Sequence, residues 1–229
     1  MEFKQTPFGT EIVGLKEALN QIGEEGLRSM GAIRERPILF SSPMIRAIIA
    51  GHKSMTRRVV KPQPIWVGDP SVPFKTPDAD PKGIIRCPYG QPGDRLWVRE
   101  AHRFDMTEGG LTITYRADGA VLRVQDNAEQ IAERSLGKWR PPMFMPRWAS
   151  RITLEVTGVR VERLQDINAS DAKKEGVSVS IYDETERERI GSWTELHIFA
   201  FYEIWESING KKYPWDSNPW VWVIEFTKN

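Results

Sequence analysis

Residues 152–164, ITLEVTGVRVERL, constrain the fold of this chain more than any other stretch. Ile152, Leu154 and Val156 share one parity, and Val159 and Val161 share the other, with the switch at Thr157-Gly158. Side chains of a strand alternate between faces, so an apolar set that changes parity stays on one face only where an extra residue is inserted. The pattern predicts a long strand with a β-bulge at 157–158. A bulged strand bends, which suits a curved sheet or barrel.

The other elements fit around it. Arg36 to Ser41 reads as a short buried strand. Ser42 as N-cap with Pro43 at the first helical position starts a helix, with Met44, Ile45, Ile48 and Ile49 as its inner face and Gly51 as its left-handed stop. Thr56 to Lys61 and Leu96 to Glu100 read as strands. Leu111 to Arg116 pairs with Ala120 to Val124 across a turn at Gly119. Asn127 to Leu136 reads as a short helix. So does Asn168 to Gly176, capped by Asn168 or Ser170 and ended by Gly176. Glu184 to Arg189 alternates in charge, as a solvated helix face or loop does. Thr194 to Ile208 is a helix apolar on most sides. Trp220 to Phe226 is almost continuously apolar, so it is expected in the middle of the sheet. This order lacks the βαβ alternation of a doubly wound sheet. It predicts a compact α+β fold on a curved, partly closed β-barrel with peripheral helices.

With 229 residues the chain is long enough for a sizeable core. Residues 1–35 read as an appended arm: Glu11 to Met30 has helix-like spacing broken by Gly14, Gly23 and Gly26. Residues 36–229 form the main domain. Within it, 66–92 is a proline-rich insertion, a long loop either ordered by contacts or closing over a site. The net charge is +1, so anion binding has to come from a local patch. Cys87 is the only cysteine, which excludes an intramolecular disulfide and a cysteine-based zinc site. Met1 is not followed by a signal-peptide pattern, and no apolar run approaches the ~20 residues of a membrane span. The expectation is a soluble cytoplasmic protein without membrane association.

Chemistry concentrates in 45–60, IRAIIAGHKSMTRRVV. Just past a helix stop this run places Lys53 and Thr56 three residues apart, followed by Arg57 and Arg58. A threonine hydroxyl becomes a nucleophile only with a base in reach. A lysine is such a base only when neutral, through burial or nearby cations. Glu175 ends the predicted short helix, where the helix dipole disfavours a negative charge, and a carboxyl that holds its proton there suits a proton donor. A second unusual stretch, 138–151, interleaves Lys138, Arg140, Arg147 and Arg151 with Trp139, Phe144 and Trp148. Arginines meeting phosphates and rings stacking on bases suit a nucleic-acid strand; a proline-bent segment whose rings plug the core has the same composition.

The segments Arg36 to Arg58, Gly93-Asp94-Arg95-Leu96, the long strand before Leu164-Gln165-Asp166-Ile167, Asp171 to Gly176 and Val221 to Phe226 resemble the ASCH family. In particular they are similar to versions carried by tailed bacteriophages and prophages, some of them labelled morphogenetic. The resemblance covers 36–229 and implies a PUA-like barrel of the kind associated with RNA binding. One branch of the family deacylates N4-acetylcytidine with a G-x-K-x-x-T-x-R run and a later glutamate. Here the run is Gly51-His52-Lys53-Ser54-Met55-Thr56-Arg57-Arg58, and the glutamate falls on Glu175. The resemblance implies Lys53 as proton acceptor, Thr56 as nucleophile and Glu175 as proton donor. Arg57, Arg58, Trp97, Trp139, Arg147 and Trp148 are then candidates for holding the substrate. This chemistry needs no metal and no cofactor. The implied partner is a modified nucleoside or RNA, in a bacterial host cytoplasm if the chain is phage-encoded. The expectation is an ASCH-type nucleic-acid- or modified-nucleoside-binding protein, with hydrolysis of an N4-acylcytidine amide as a further activity; a non-catalytic RNA-binding module and, ranked last, a phage assembly protein are the alternatives. Oligomeric state is left open.

Overall fold

The computed structural model describes residues 3–6, 9–12, 33–63, 86–124, 136–179, 182 and 184–229. The chain divides into two units, Met1–Arg34 and Glu35–Asn229. In the first, strands β1 (Phe3–Thr6) and β2 (Gly9–Ile12) form an antiparallel hairpin with Phe3 opposite Ile12. Glu11 and Ile12, expected to open a helix, are therefore strand residues. The remainder of that expected helix, most of the 66–92 insertion and nearly all of the expected helix at 127–136 lie outside the described residues.

The second unit is α+β. Its main sheet comprises β3 (Glu35–Leu39), β4 (Met55–Val59), β5 (Arg95–Arg99), β9 (Thr153–Arg163) and β10 (Trp220–Lys228), in the order β3-β5-β9-β10-β4. β3 runs parallel to β5 and the other pairs are antiparallel. β10 lies inside the sheet, as its apolar run requires. Pro37 lies in β3, an edge strand, where a missing N–H breaks no ladder. The bulge falls at the expected place: Glu225 faces Gly158 and Phe226 faces Val156, so Thr157 is the extra residue.

That extra residue keeps one face of β9 apolar. Leu154 and Val156 before it, and Val159 and Val161 after it, join one core with Ile38, Leu96, Val98, Trp222, Ile224 and Phe226. Helix α1 (Ser42–Ile49) covers this face with Ile45 and Ile48. Truncating either to alanine costs about 2–5 kcal/mol. Two local expectations shift. Ser41, not Ser42, is the N-cap, and its side chain makes no capping bond. Ile49, expected on the inner face, is exposed, because the eight-residue helix turns only Ile45 and Ile48 fully onto the sheet.

The opposite face carries a second core. Met55, Val221 and Val223 meet Ala172 of α2 (Ala169–Lys174) and Phe201 and Trp205 of α4 (Trp193–Asn209). Asn168 caps α2 by accepting the Asp171 N–H at 2.9 Å. The charge run folds as α3 (Glu184–Ile190). Ile208, expected buried, is exposed near the end of α4.

A separate three-stranded antiparallel sheet follows β5: β6 (His102–Thr107), β7 (Gly110–Tyr115) and β8 (Val121–Arg123). The β7–β8 pair was expected and β6 was not. Residues 142–144 and 147–149 form two short 3-10 turns beside it, with Met145 and Ala149 buried against Phe104, Ile113 and Tyr115. No helix among the described residues is long and apolar enough to cross a membrane.

Candidate functional site

The exit from α1 and the end of α2 are joined directly. Gly51 has φ +77°, the left-handed conformation that releases the chain from the helix. His52 and Lys53 then donate their backbone N–H groups to Ala47 O, and Ser54 donates to Lys174 O at 2.9 Å. Lys53 and Glu175 form an isolated antiparallel bridge. Gly176 permits this approach twice over. Its φ is +79°, and a Cβ on it would lie 2.9 Å from the Lys53 Cβ and 3.0 Å from the Ala47 Cβ.

At this junction Lys53 is 3% exposed and Glu175 is 7% exposed. The Lys53 Nζ donates to Glu175 Oε2, to the Glu175 carbonyl and to the Met55 carbonyl, each at 2.7 Å. An ammonium has three N–H bonds, and all three are used here, none on the Thr56 hydroxyl. Burial pushes the Lys53 ammonium below the ordinary lysine range; the Glu175 carboxylate opposes this, while Arg58 and Arg57 add to it. Glu175 also accepts from Arg57 Nη1 at 3.4 Å. The two Glu175 carboxylate oxygens thus face Lys53 and Arg57.

Strand parity separates the residues of β4. Met55, Arg57 and Val59 face α2 and α4, whereas Thr56, Arg58 and Val60 face the α1 side. Arg57 corrects an expectation. It was a candidate for holding substrate, but its side chain is 1% exposed and bound to Asp171 at 2.8 Å and Glu162 at 3.1 Å. The cross-strand register explains this. Arg57 and Arg160 both flank Val223 on one face of the sheet, and Asp171 Oδ2 accepts from both guanidinium groups. Arg160 also binds Glu162 and Glu225. A buried cation without such partners would cost several kcal/mol.

Thr56, 2% exposed, lies opposite Ile224. Arg58 donates to Leu39 O at 2.6 Å, and its guanidinium sits 5.2 Å from the centre of the Phe40 ring. Lys53 Nζ is 5.8 Å from the same ring. Phe40 therefore gathers Lys53 and Arg58 beside the Thr56 face. A cavity of about 300 Å³ adjoins the junction, lined by Glu175, Met44, Val177, Phe201 and Ile204 among others.

The other candidates lie elsewhere. Trp97 is buried beneath Arg99 and Arg147, whose guanidinium groups lie 4.5 and 5.9 Å from its ring. It is covered rather than open for stacking, because those two guanidinium groups lie over its ring. Arg147 pairs with Glu35 at 2.8 Å. Trp139 and Trp148 lie on the surface beside the three-stranded sheet, with no contact to Lys53, Thr56 or Glu175 among the described residues. Sequence reasoning missed Asp171, Glu162, Arg160 and Glu225. The available signal was the polar parity of β9 opposite Val159 and Val161. No group of three or more metal-ligating side chains occurs among the described residues. Comparison with family models, curated proteins and solved structures finds no match for this chain.

Proposed function

We propose that the protein is an ASCH-type amidohydrolase with a PUA-like barrel that removes the acyl group from N4-acylated cytidine or a closely related nucleoside amide. The observation that carries this reading is the 2.7 Å hydrogen bond between Lys53 Nζ and Glu175 Oε2 in a nearly closed site. Moving one proton across that bond makes Lys53 a neutral base and Glu175 an acid in a single step. Those are the two groups amide hydrolysis needs. Burial favours the transfer by disfavouring the separated charges.

Neutral Lys53 then takes the Thr56 hydroxyl proton as Oγ1 bonds to the acyl carbon. When the C–N bond breaks, Glu175 gives its proton to the departing amine. The ion pair is thereby restored, and an acyl ester remains on Thr56. Water hydrolyses that ester, leaving the acid and the free hydroxyl. Arg58, on the Thr56 face, balances charge on the tetrahedral oxygen in this reading. The apolar cavity beside Glu175 has the size of a small ligand site.

A second reading has one observation in its favour. The Lys53 ammonium spends its three N–H bonds on acceptors other than Thr56, as it would in a module that grips a modified base without turnover.

Assay of N4-acetylcytidine with wild type, Thr56→Ala and Lys53→Ala separates the two. Turnover is expected in wild type and lost in both variants. Its kcat/KM should fall as pH rises through an apparent pKa below the ~10.4 of ordinary lysine, since the Lys53–Glu175 pair must hold one proton for Glu175 to deliver and burial makes that proton easier to lose. Full activity in Thr56→Ala removes the mechanism, and a folded wild type without turnover leaves the binding reading.

A further inference from the structure

The surface of residues 136–151 beside the three-stranded sheet has no part in the chemistry of Lys53, Thr56 and Glu175. We propose that it binds single-stranded nucleic acid, with bases on its exposed rings and phosphates on its cations. This does not rest on the hydrolase reading.

The rings are exposed where the alternative packing would have hidden them. Trp139 is 40% exposed, Phe144 55% and Trp148 43%. Met145 and Ala149 fill the core instead, so the proline-bent backbone turns its small and flexible residues inward and its aromatic rings outward. Each ring is also supported. Trp139 lies 5.2 Å from the guanidinium of Arg103 and 5.5 Å from that of Arg116. Phe144 lies 5.7 Å from that of Arg140. Trp148 rests on Phe104, with ring centres 5.5 Å apart. Rings held this way meet a base at little entropic cost.

Charge selects the partner. Residues 136–151 contain Lys138, Arg140, Arg147 and Arg151 and no carboxylate, in a chain whose net charge is only +1. Arg147 and Arg151 are engaged by Glu35, Glu100 and Asp118. Phosphate contacts therefore fall to Lys138 and Arg116. Arg116 is exposed, and its guanidinium has no hydrogen bond among the described residues. Guanidinium groups flat against a ring keep their N–H edges outward for phosphate. A duplex hides its base faces, whereas a single strand offers bases and phosphates in alternation, matching rings interleaved with cations.

The test is fluorescence anisotropy of a labelled twelve-nucleotide oligouridylate with the full chain at low salt. Binding is expected, weakening as salt rises with a log–log slope of about −0.7 per phosphate contacted. Trp139→Ala should weaken it by about tenfold or more. Arg116→Glu should lower both affinity and salt slope, with unchanged melting temperatures confirming the fold. A DNA single strand of the same length shows whether the sugar matters, and a duplex should bind more weakly. The proposal is overturned if the folded protein fails to bind, if binding survives Trp139→Ala and Arg116→Glu together, or if polyglutamate competes as well as the oligonucleotide, which would assign the surface to an acidic protein.

Discussion

Two regions of this molecule are rich in cations, and they treat them in opposite ways. Around the start of β4 and across to β9, Lys53, Arg57 and Arg160 are surrounded by Glu162, Asp171, Glu175 and Glu225. In residues 136–151 Arg140 lies against the Phe144 ring, Arg147 and Arg151 reach carboxylates outside the segment, and no carboxylate belongs to the segment itself. Burial accounts for the difference. A charge removed from water needs counter-charges and hydrogen bonds, whereas a solvated one keeps its hydration and needs neither. The buried Lys53 and Arg57 have consequently turned most of their donors to protein acceptors, whereas the exposed Lys138 and Arg116 turn theirs to solvent. Sequence composition alone does not distinguish these cases, since both stretches read as arginine clusters.

The comparison can be broken most decisively at Glu175. Replacing it by alanine leaves Lys53 and Arg57 short of an acceptor and should cost about 3–5 kcal/mol in urea denaturation. The double variant Lys53→Met/Glu175→Leu should lose less than the single one, because no unpaired charge stays buried. If it loses more, the pair is a source of stability and the argument from desolvation is wrong.

Gly176→Ala comes next. It forces a side chain onto a backbone at φ +79° and against Lys53 and Ala47, for an expected loss of about 1–3 kcal/mol. A melting temperature equal to wild type would show that the junction relaxes freely.

Arg151 sharpens the contrast, because it belongs to the surface segment yet is partly buried and pairs with Glu100 and Asp118. The hydrogen bond from Arg151 holds the Asp118 carboxyl below the usual aspartate range. With the folded-state pKa lowered, the stabilisation is fully present above the unfolded value near ~3.9 and is lost as pH falls through the lowered one. Asp118→Asn should therefore cost at most about 1 kcal/mol at neutral pH and flatten the stability profile below that value. An unchanged acid slope would sink this assignment.

The smallest effect is expected at the surface. Trp139→Ala should change stability by less than about 1 kcal/mol, since the ring is solvated and its cation contacts are weak in water. A larger loss in thermal denaturation would make Trp139 a structural plug.

Much of this architecture is legible in the residues because it depends on neighbours in the chain. The parity switch at Thr157-Gly158 located the bulge, the apolar run of Trp220 to Phe226 located an interior strand, and Gly51 and Gly176 marked two helix ends. β6 escaped notice because Arg103 and Asp105 alternate with His102 and Phe104 in a pattern of mixed polarity. Lys53, Thr56 and Glu175 were readable as candidates. The position of Arg57 was not, since its partners lie more than a hundred residues away on β9 and α2.

Local pattern by itself determined where strands bend, where helices stop and which residue types carry reactive groups. Those properties follow from backbone sterics and side-chain periodicity within a few residues. Tertiary structure alone decided that Lys53 would meet Glu175, that neighbouring Arg57 and Arg58 would face opposite sides of the sheet into different surroundings, and that the rings of 139–148 would turn outward. Pairing, burial and counter-charge are properties of segments brought together from distant parts of the chain, and they set which cations are consumed by the fold and which stay available.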